Sequence, residues 1–145
     1  MKIALAADHG GYDLKEAILR HLQERSIETV DLGTDNAETS VDYPLFGEAC
    51  ARQVADGKAD LGIVCCGTGI GISIAANKVP GIRCALPYND FTAEMCKRHN
   101  NANMVAFGGR SLAEADVLRY VDIWLDTEYE GGRHDRRLNE LAQIR

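Results

Sequence analysis

The sequence predicts an α/β fold with a doubly wound parallel sheet, and two observations support this prediction. Short apolar runs alternate with amphipathic segments along the 145 residues, and the links between them are short. Strand–helix alternation of this kind implies right-handed crossovers and a parallel sheet covered by helices on both faces. Because the length suits one core, we expect residues 1–145 to form a single domain.

Each predicted strand is a short apolar run, and each predicted helix carries apolar residues at helical spacing. In the first helix, for example, Leu14, Ile18 and Leu22 recur every four residues. The strands are predicted at residues 2–7, 27–32, 61–65, 83–86 and 104–107. The helices are predicted at 13–25, 43–54, 70–78, 90–99 and 112–125, with a last amphipathic segment at 136–144. The expected architecture is a Rossmann-like three-layer α/β/α sandwich with a five-stranded parallel sheet.

Composition limits the classes of function. The formal net charge of −6 argues against a nucleic-acid partner, because nucleic acids favour basic surfaces. No apolar run reaches the roughly 18 to 20 residues of a membrane helix. The apolar stretch at the start of the chain is too short for a signal peptide and is interrupted by Asp8 and His9. We therefore expect a cytoplasmic protein without a membrane partner.

The cysteines fit that compartment. There are five, their spacing is irregular, and no CxxC pair suggests zinc or a redox motif. Cys50, Cys84 and Cys96 stand among apolar neighbours, where a cysteine behaves as a small hydrophobic residue. These three are predicted to be packing residues.

Glycine and polar residues follow three of the predicted strands. They are DHGG at 8–11, CCGTG at 65–69 and FGGR at 107–110. Doubly wound sheets bind ligands beyond the carboxyl ends of their strands, so this edge is the candidate site. A plain turn in which Asp8 caps the next helix is the alternative for the first segment.

The glycine-rich turn GTGIG, residues 67–71, opens the third predicted helix. Such a turn presents backbone N–H groups that attract anions. It is not a Walker motif, and Ile74 stands where a dinucleotide-binding turn has its third glycine. The pattern of thiol phosphatases also fails, because Gly71 or Ile72 occupies the arginine position. A tight turn without a ligand remains open.

Strand geometry separates the adjacent cysteines of this segment. Neighbouring strand residues point to opposite faces, so Cys65 is predicted to pack beneath a covering helix. Cys66 ends the strand just before the N-terminus of a helix, which stabilises a thiolate. Cys66 is therefore the functional candidate, with a second buried thiol as the alternative.

Two further clusters could supply acid–base and phosphate-binding groups. His99 ends a predicted helix and precedes Asn100, Asn101 and Asn103. An imidazole suits general acid–base work near neutral pH, although a structural histidine is the commoner case. The segment GGRHDRR at 131–137 has guanidinium groups that can bind phosphate oxygens, or it forms a solvated basic face.

Five segments together carry a family resemblance that spans nearly the whole chain in order. They are ADHGGYDLK (7–15), DYP (42–44), CGTGIGISIAANKVPGIR (66–83), RHNNANMVAFGGR (98–110) and YEGGRHDRR (129–137). They resemble the type B ribose-5-phosphate isomerases, whose family also contains galactose-6-phosphate and allose-6-phosphate isomerases.

The resemblance implies an aldose–ketose isomerase of the pentose phosphate pathway, acting on D-ribose 5-phosphate and D-ribulose 5-phosphate through an enediolate. It implies that Cys66 moves the proton between C1 and C2, that His99 opens the furanose ring, and that Thr68 assists. It implies no metal and no organic cofactor. The residues implied to hold the enediolate, sugar and phosphate are Asp8, His9, Gly67, Thr68, Gly69, Ile70, Gly71, Asn100, Arg110, Arg133 and Arg137.

The resemblance also implies a homodimer, or a dimer of dimers, with the site shared between subunits. His99, Asn100 and Arg110 are then expected to come from the neighbouring chain, and the segment 127–145 to pack on it. A six-carbon sugar phosphate, such as allose 6-phosphate or galactose 6-phosphate, is the alternative substrate. A non-catalytic sugar-phosphate-binding module and a thiol-dependent hydrolase are further alternatives. Cys65 and Arg136 receive no functional role.

Overall fold

The computed structural model describes residues 1–144 and has a five-stranded parallel sheet. The strands are β1 (Lys2–Ala7), β2 (Glu28–Asp31), β3 (Leu61–Cys66), β4 (Cys84–Ala85) and β5 (Met104–Gly108). The helices are α1 (Tyr12–Glu24), α2 (Tyr43–Ala55), α3 (Ile70–Asn77), α4 (Asp90–Arg98), α5 (Glu114–Asp126) and α6 (His134–Gln143), and one 3-10 turn covers His9–Gly11.

The predicted Rossmann-like, doubly wound fold is confirmed, with small shifts at the element ends. The largest are at the starts of two helices: α5 begins at Glu114 rather than at residue 112, and α6 at His134 rather than at residue 136. β2 and β4 are each one residue shorter at both ends than predicted. Arg145, the last residue of the predicted segment 127–145, lies outside the described residues. Among the helices of residues 1–144, none combines the length and apolar character needed to cross a bilayer.

The strand order β2-β1-β3-β5-β4 brings the three glycine-bearing strand ends together. β3 lies between β1 and β5, with Ala7 opposite Cys65 and Cys66 opposite Gly108. All pairings are parallel, so these ends share the carboxyl edge of the sheet. The predicted convergence of DHGG, CCGTG and FGGR on one edge is confirmed.

The sheet separates two hydrophobic cores, and β3 contributes alternately to each. Ile63 and Cys65 belong to the core beneath α1 and α5, while Val64 and Cys66 belong to the core beneath α2 and α3. The period of two in a strand explains this division. The prediction that the two cysteines face opposite sides is confirmed, and both are buried in one chain.

Two glycines allow the strand-end loops to approach the sheet closely. A Cβ on Gly11 would overlap the backbone carbonyl of Cys65. Gly69 has a φ of +81° and begins α3, and a Cβ there would lie 2.8 Å from the carbonyl carbon of Phe107. Only glycine tolerates this dihedral and this proximity together. The glycines therefore set the shape of the candidate site.

A buried lysine joins α1 to the end of β2. Lys15 is fully buried, and its Nζ lies 2.8 Å from Asp31 and 3.0 Å from Glu16. Burial alone would lower the pKa of Lys15, but the hydrogen bonds to these carboxylates raise it above its ordinary value. The ammonium group is thus charged in the folded protein.

Lys15→Ala is expected to lower the free energy of unfolding by about 2 to 4 kcal/mol, because it leaves a cavity and removes the partner of Asp31. Lys2→Ala is the matched control, since Lys2 is half-exposed and 3.9 Å from Glu28; its cost should stay below about 0.5 kcal/mol. Urea denaturation of both variants measures the difference. Equal losses would contradict a structural role for the buried pair.

Candidate active site

The turn after β1 places a carboxylate and an imidazole at the carboxyl edge. Asp8 is buried, and its Oδ1 accepts a hydrogen bond of 3.1 Å from the Gly11 N–H, so it caps the 3-10 turn. Nδ1 of His9 accepts from the Val41 N–H at 3.2 Å. A neutral His9 must then carry its proton on Nε2, which is free to donate to a ligand.

The turn after β3 places a thiol at the N-terminus of α3. Cys66 is only 4% exposed, and its Sγ accepts a hydrogen bond of 3.1 Å from the Gly69 N–H. The Thr68 Oγ1 accepts from the Ile70 N–H at 3.2 Å, which leaves the hydroxyl proton available. The N–H groups in the first turn of α3, including that of Gly71, have no acceptor within the helix. This turn can therefore stabilise an anion next to the Cys66 sulfur.

The turn after β5 adds a cation to the same edge. The Arg110 N–H donates to the Gly67 carbonyl at 2.9 Å. Its guanidinium lies against two loops, because a Cβ on either Gly10 or Gly67 would be 3.2 Å from guanidinium atoms. The expectation that Arg110 comes from the neighbouring chain with His99 and Asn100 is wrong, since Arg110 stands beside the thiol loop of its own chain.

His99 and Asn100 lie at the opposite edge of the sheet. α4 runs antiparallel to β5, so His99, at the end of α4, stands near the start of that strand. Arg83 directly precedes β4, and its Nε donates to the Asn100 carbonyl at 3.1 Å. β5 extends from Met104 at this edge to Gly108 beside Cys66, four residue steps or about 13 Å away. Within one chain, His99 cannot reach Cys66.

The arginine-rich segment joins His99 at this amino edge. The rings of His99 and His134 are stacked with centroids 4.4 Å apart and planes 19° apart. Glu130 donates its backbone N–H to the Arg98 carbonyl at 2.9 Å, which ties the segment to the end of α4. Arg133, the N-cap of α6, belongs to the same segment and lies 3.7 Å from Glu130.

One chain thus carries two incomplete groups of candidate residues on opposite edges. We call the first the thiol half-site and the second the imidazole half-site. The thiol half-site comprises Asp8, His9, Cys66, Gly67, Thr68, Gly69, Ile70, Gly71 and Arg110. The imidazole half-site comprises His99, Asn100, Glu130, Arg133, His134 and Arg137.

The imidazole half-site contains donor atoms at a spacing that a metal ion can use. One donor atom each from His99, Glu130 and His134 lies within 4.8 Å of the others. Stacked rings, however, direct their nitrogen lone pairs side by side rather than toward one point. We therefore describe this cluster as an imidazole pair that shares a carboxylate, and assign no metal to it.

Several polar residues have structural roles that the sequence pattern did not resolve. Asn103 accepts from the Arg83 N–H through Oδ1 and donates to the Gly81 carbonyl through Nδ2. Asn101 adopts a φ of +45° in the same turn. Arg136 pairs with Glu140 on an exposed face, 3.7 Å away. The two asparagines, Asn101 and Asn103, therefore shape the α4–β5 turn rather than bind a ligand.

Sequence reasoning missed three residues: Tyr43, which lies beside the thiol half-site, and Glu130 and His134 of the imidazole half-site. The Tyr43 ring lies over Gly71, where a Cβ would be 2.6 Å from the ring, and is 40% exposed. The DYP segment (42–44), at the start of α2, was the feature of the sequence that could have identified Tyr43. Glu130 and His134 were visible only as part of an arginine-rich run. Their relation to His99 is a tertiary contact across more than 30 positions.

The fold and the two half-sites define a doubly wound α/β protein with acid–base groups and cations suited to a small anionic substrate. A model of the ribose/galactose isomerase family matches residues 3–141. The chain belongs to the ribose/galactose isomerase family.

Several relatives match this chain over nearly its full length. The chain is 44% identical to ribose-5-phosphate isomerase B of Escherichia coli over 143 residues, which cover 99% of this chain and 95% of that one. A ribose-5-phosphate isomerase B structure from Clostridium thermocellum superposes with a TM-score of 0.97 at 50% identity, covering 99% and 97% of the two chains. The Mycoplasma genitalium enzyme, solved with bound ribulose-5-phosphate, superposes with a TM-score of 0.93 at 38% identity, covering 98% and 94%.

Proposed function

We propose that this chain is an aldose–ketose isomerase that interconverts D-ribose 5-phosphate and D-ribulose 5-phosphate. One observation carries the proposal: the Cys66 sulfur lies at the N-terminus of α3, 3.1 Å from the Gly69 nitrogen, beside backbone donors for an oxyanion. The substrate is inferred from the relatives named above, one of which was solved with bound ribulose-5-phosphate. The reaction belongs to the pentose phosphate pathway.

The thiol half-site performs the proton transfer. Cys66, as a thiolate, removes the proton from C2 of the open-chain aldose and returns it to C1, so that no group is gained or lost. The negative charge moves to oxygen in the enediolate, where N–H groups of the first turn of α3 stabilise it. The proton of the C2 hydroxyl passes to the C1 oxygen, which completes the exchange. The Thr68 hydroxyl, which accepts a hydrogen bond from the Ile70 N–H, donates a hydrogen bond to these sugar oxygens.

The imidazole half-site opens the sugar ring. His99 takes the proton of the anomeric hydroxyl and delivers a proton to the ring oxygen, a task that suits an imidazole near neutral pH. Asp8 and Asn100 bind sugar hydroxyls. The phosphate is bound by the group of cations and donors formed by His9, Arg110, Arg133 and Arg137.

A second copy of the chain completes each site, because one chain holds the two half-sites on opposite edges of its sheet. α3 exposes two isoleucines at the thiol half-site: Ile70, a member of it, is 53% exposed, and Ile74, one turn further along, is 56% exposed. The C-terminal segment exposes Leu141 and Ile144 in the same way. We propose a homodimer of single-domain chains, which can pair further into a dimer of dimers, in which the segment 127–145 of each chain also packs on the neighbouring subunit.

The proposed compartment is the cytoplasm. All five cysteines are free thiols, as expected where glutathione and thioredoxin keep thiols reduced. Burial raises the pKa of Cys50 to about 12 and that of Cys96 to about 11, so both pack as neutral groups.

Substrate choice is the direct test of this proposal. We expect kcat/KM for ribose 5-phosphate to exceed that for allose 6-phosphate or galactose 6-phosphate by at least about tenfold, since an extra carbon must displace the phosphate from its cations. A coupled spectrophotometric assay with purified enzyme measures all three values. A higher value for a hexose phosphate would favour the six-carbon alternative that the family's description includes.

A further inference from the structure

The ring of His134 lies beneath the ring of His99 and packs against it. It is only 4% exposed, and its ring is stacked on His99 with the centroids 4.4 Å apart. Within residues 1–144, its Nε2 is buried without a hydrogen-bond partner. A buried polar atom without a partner is costly, which indicates that this ring is retained for a purpose other than stability.

Glu130 contacts both rings of the stack. Its Oε2 lies 3.8 Å from Nε2 of His99, and its Oε1 lies 3.8 Å from Nε2 of His134. The backbone N–H of Glu130 is bonded to Arg98, the residue before His99, so the carboxylate and the imidazole share one anchor. These contacts restrict both the position and the rotation of the His99 ring.

We propose that His134 and Glu130 are positioning residues for His99, which they hold in the orientation that ring opening requires. This inference rests on the proposed function. His134 restricts the ring through the stack, and Glu130 stabilises the imidazolium form that exists after His99 has accepted a proton. Neither residue touches the reacting atoms.

The charge distribution around the stack favours a neutral His134. Two imidazolium groups 4.4 Å apart repel each other, so protonation of one disfavours protonation of the other. Burial lowers the pKa of His134, and His99, Arg133 and Arg137 lower it further against the opposing effect of Glu130. The lowered pKa favours the neutral form of His134, which keeps a like charge away from the stacked His99 ring.

The experiment exploits a difference between the two substrates. Ribulose 5-phosphate cannot close a furanose ring, because its C5 oxygen carries the phosphate. Exchange of its C1 hydrogen with solvent deuterium thus reports proton transfer at Cys66 without ring opening. Isomerisation of ribose 5-phosphate requires both steps, so the two assays separate His99 from Cys66.

His134→Ala is expected to lower kcat for ribose 5-phosphate by about 10- to 100-fold, the cost of a misplaced catalytic group, with KM nearly unchanged. Deuterium exchange at C1 of ribulose 5-phosphate should stay within about threefold of the wild-type rate. His134→Phe keeps a flat ring under His99 and should recover most of kcat. Equal loss in both assays, or no recovery with phenylalanine, would overturn the positioning role.

Glu130→Gln should likewise reduce ring opening and spare the exchange, because it removes the charge that stabilises imidazolium. Glu140→Gln is the matched control: Glu140 pairs with Arg136 on the exposed side of α6, and its loss should leave both rates unchanged. Identical effects of the two substitutions would contradict the role of Glu130. If the wild-type enzyme shows neither isomerisation nor exchange, the proposed function itself fails, and that result is distinct from either outcome above.

Discussion

Cys66→Ala is expected to reduce kcat for ribose 5-phosphate by about 10³- to 10⁴-fold, because it removes the base that carries the proton between C2 and C1. The rest of the thiol half-site stays in place, since the Gly69 N–H and the other donors of α3 belong to the backbone. KM should therefore change little. Incorporation of solvent deuterium into the sugar should disappear together with turnover, which NMR detects directly.

Cys65→Ala is the matched control for this prediction. Cys65 is the adjacent residue of β3, equally buried, and its sulfur belongs to the core beneath α1 and α5. Burial raises the pKa of this thiol, so it stays neutral. We expect the control to lose about 1 kcal/mol of stability and almost no kcat. Wild-type turnover by Cys66→Ala would remove the thiol from the mechanism.

Much of the thiol half-site could be predicted because it depends on local rules. Alternation along β3 separates Cys65 from Cys66, and parallel strands bring their carboxyl ends to one edge. The backbone N–H groups of the turn 67–71 follow from its place between a strand and a helix. None of these inferences requires knowledge of which strands are neighbours.

The rest of the candidate site depends on the order of the strands in the sheet and on tertiary contacts, which local rules do not predict. Arg110 belongs to the thiol half-site because β5 is the neighbour of β3, which places Arg110 beside Gly67. The family resemblance grouped Arg110 with His99 instead, although α4 ends at the edge opposite to the end of β5. The stack of His99 on His134 joins two segments that neither periodicity nor motif spacing connects.

A subunit-mixing experiment tests the division into half-sites. In a mixed dimer of Cys66→Ala and His99→Asn chains, one site combines both defects and the other combines an intact Cys66 with an intact His99. Random exchange makes about half of the dimers mixed, with one working site of two, so about a quarter of wild-type activity should return. Each variant alone should be nearly inactive. Native mass spectrometry establishes that mixed dimers have formed before activity is measured.

Mixing Cys66→Ala with Arg110→Ala is the decisive control, because it tests which half-site holds Arg110. Both residues lie at the carboxyl edge of one chain, where the Arg110 N–H is bonded to the Gly67 carbonyl. Every mixed dimer then has one site without the thiol and one without the guanidinium, so no site is complete. We expect no recovery above the activity of the separate variants. Recovery near a quarter would place Arg110 with His99 across the interface, whereas failure of the first mixture would indicate that the half-sites do not meet between chains.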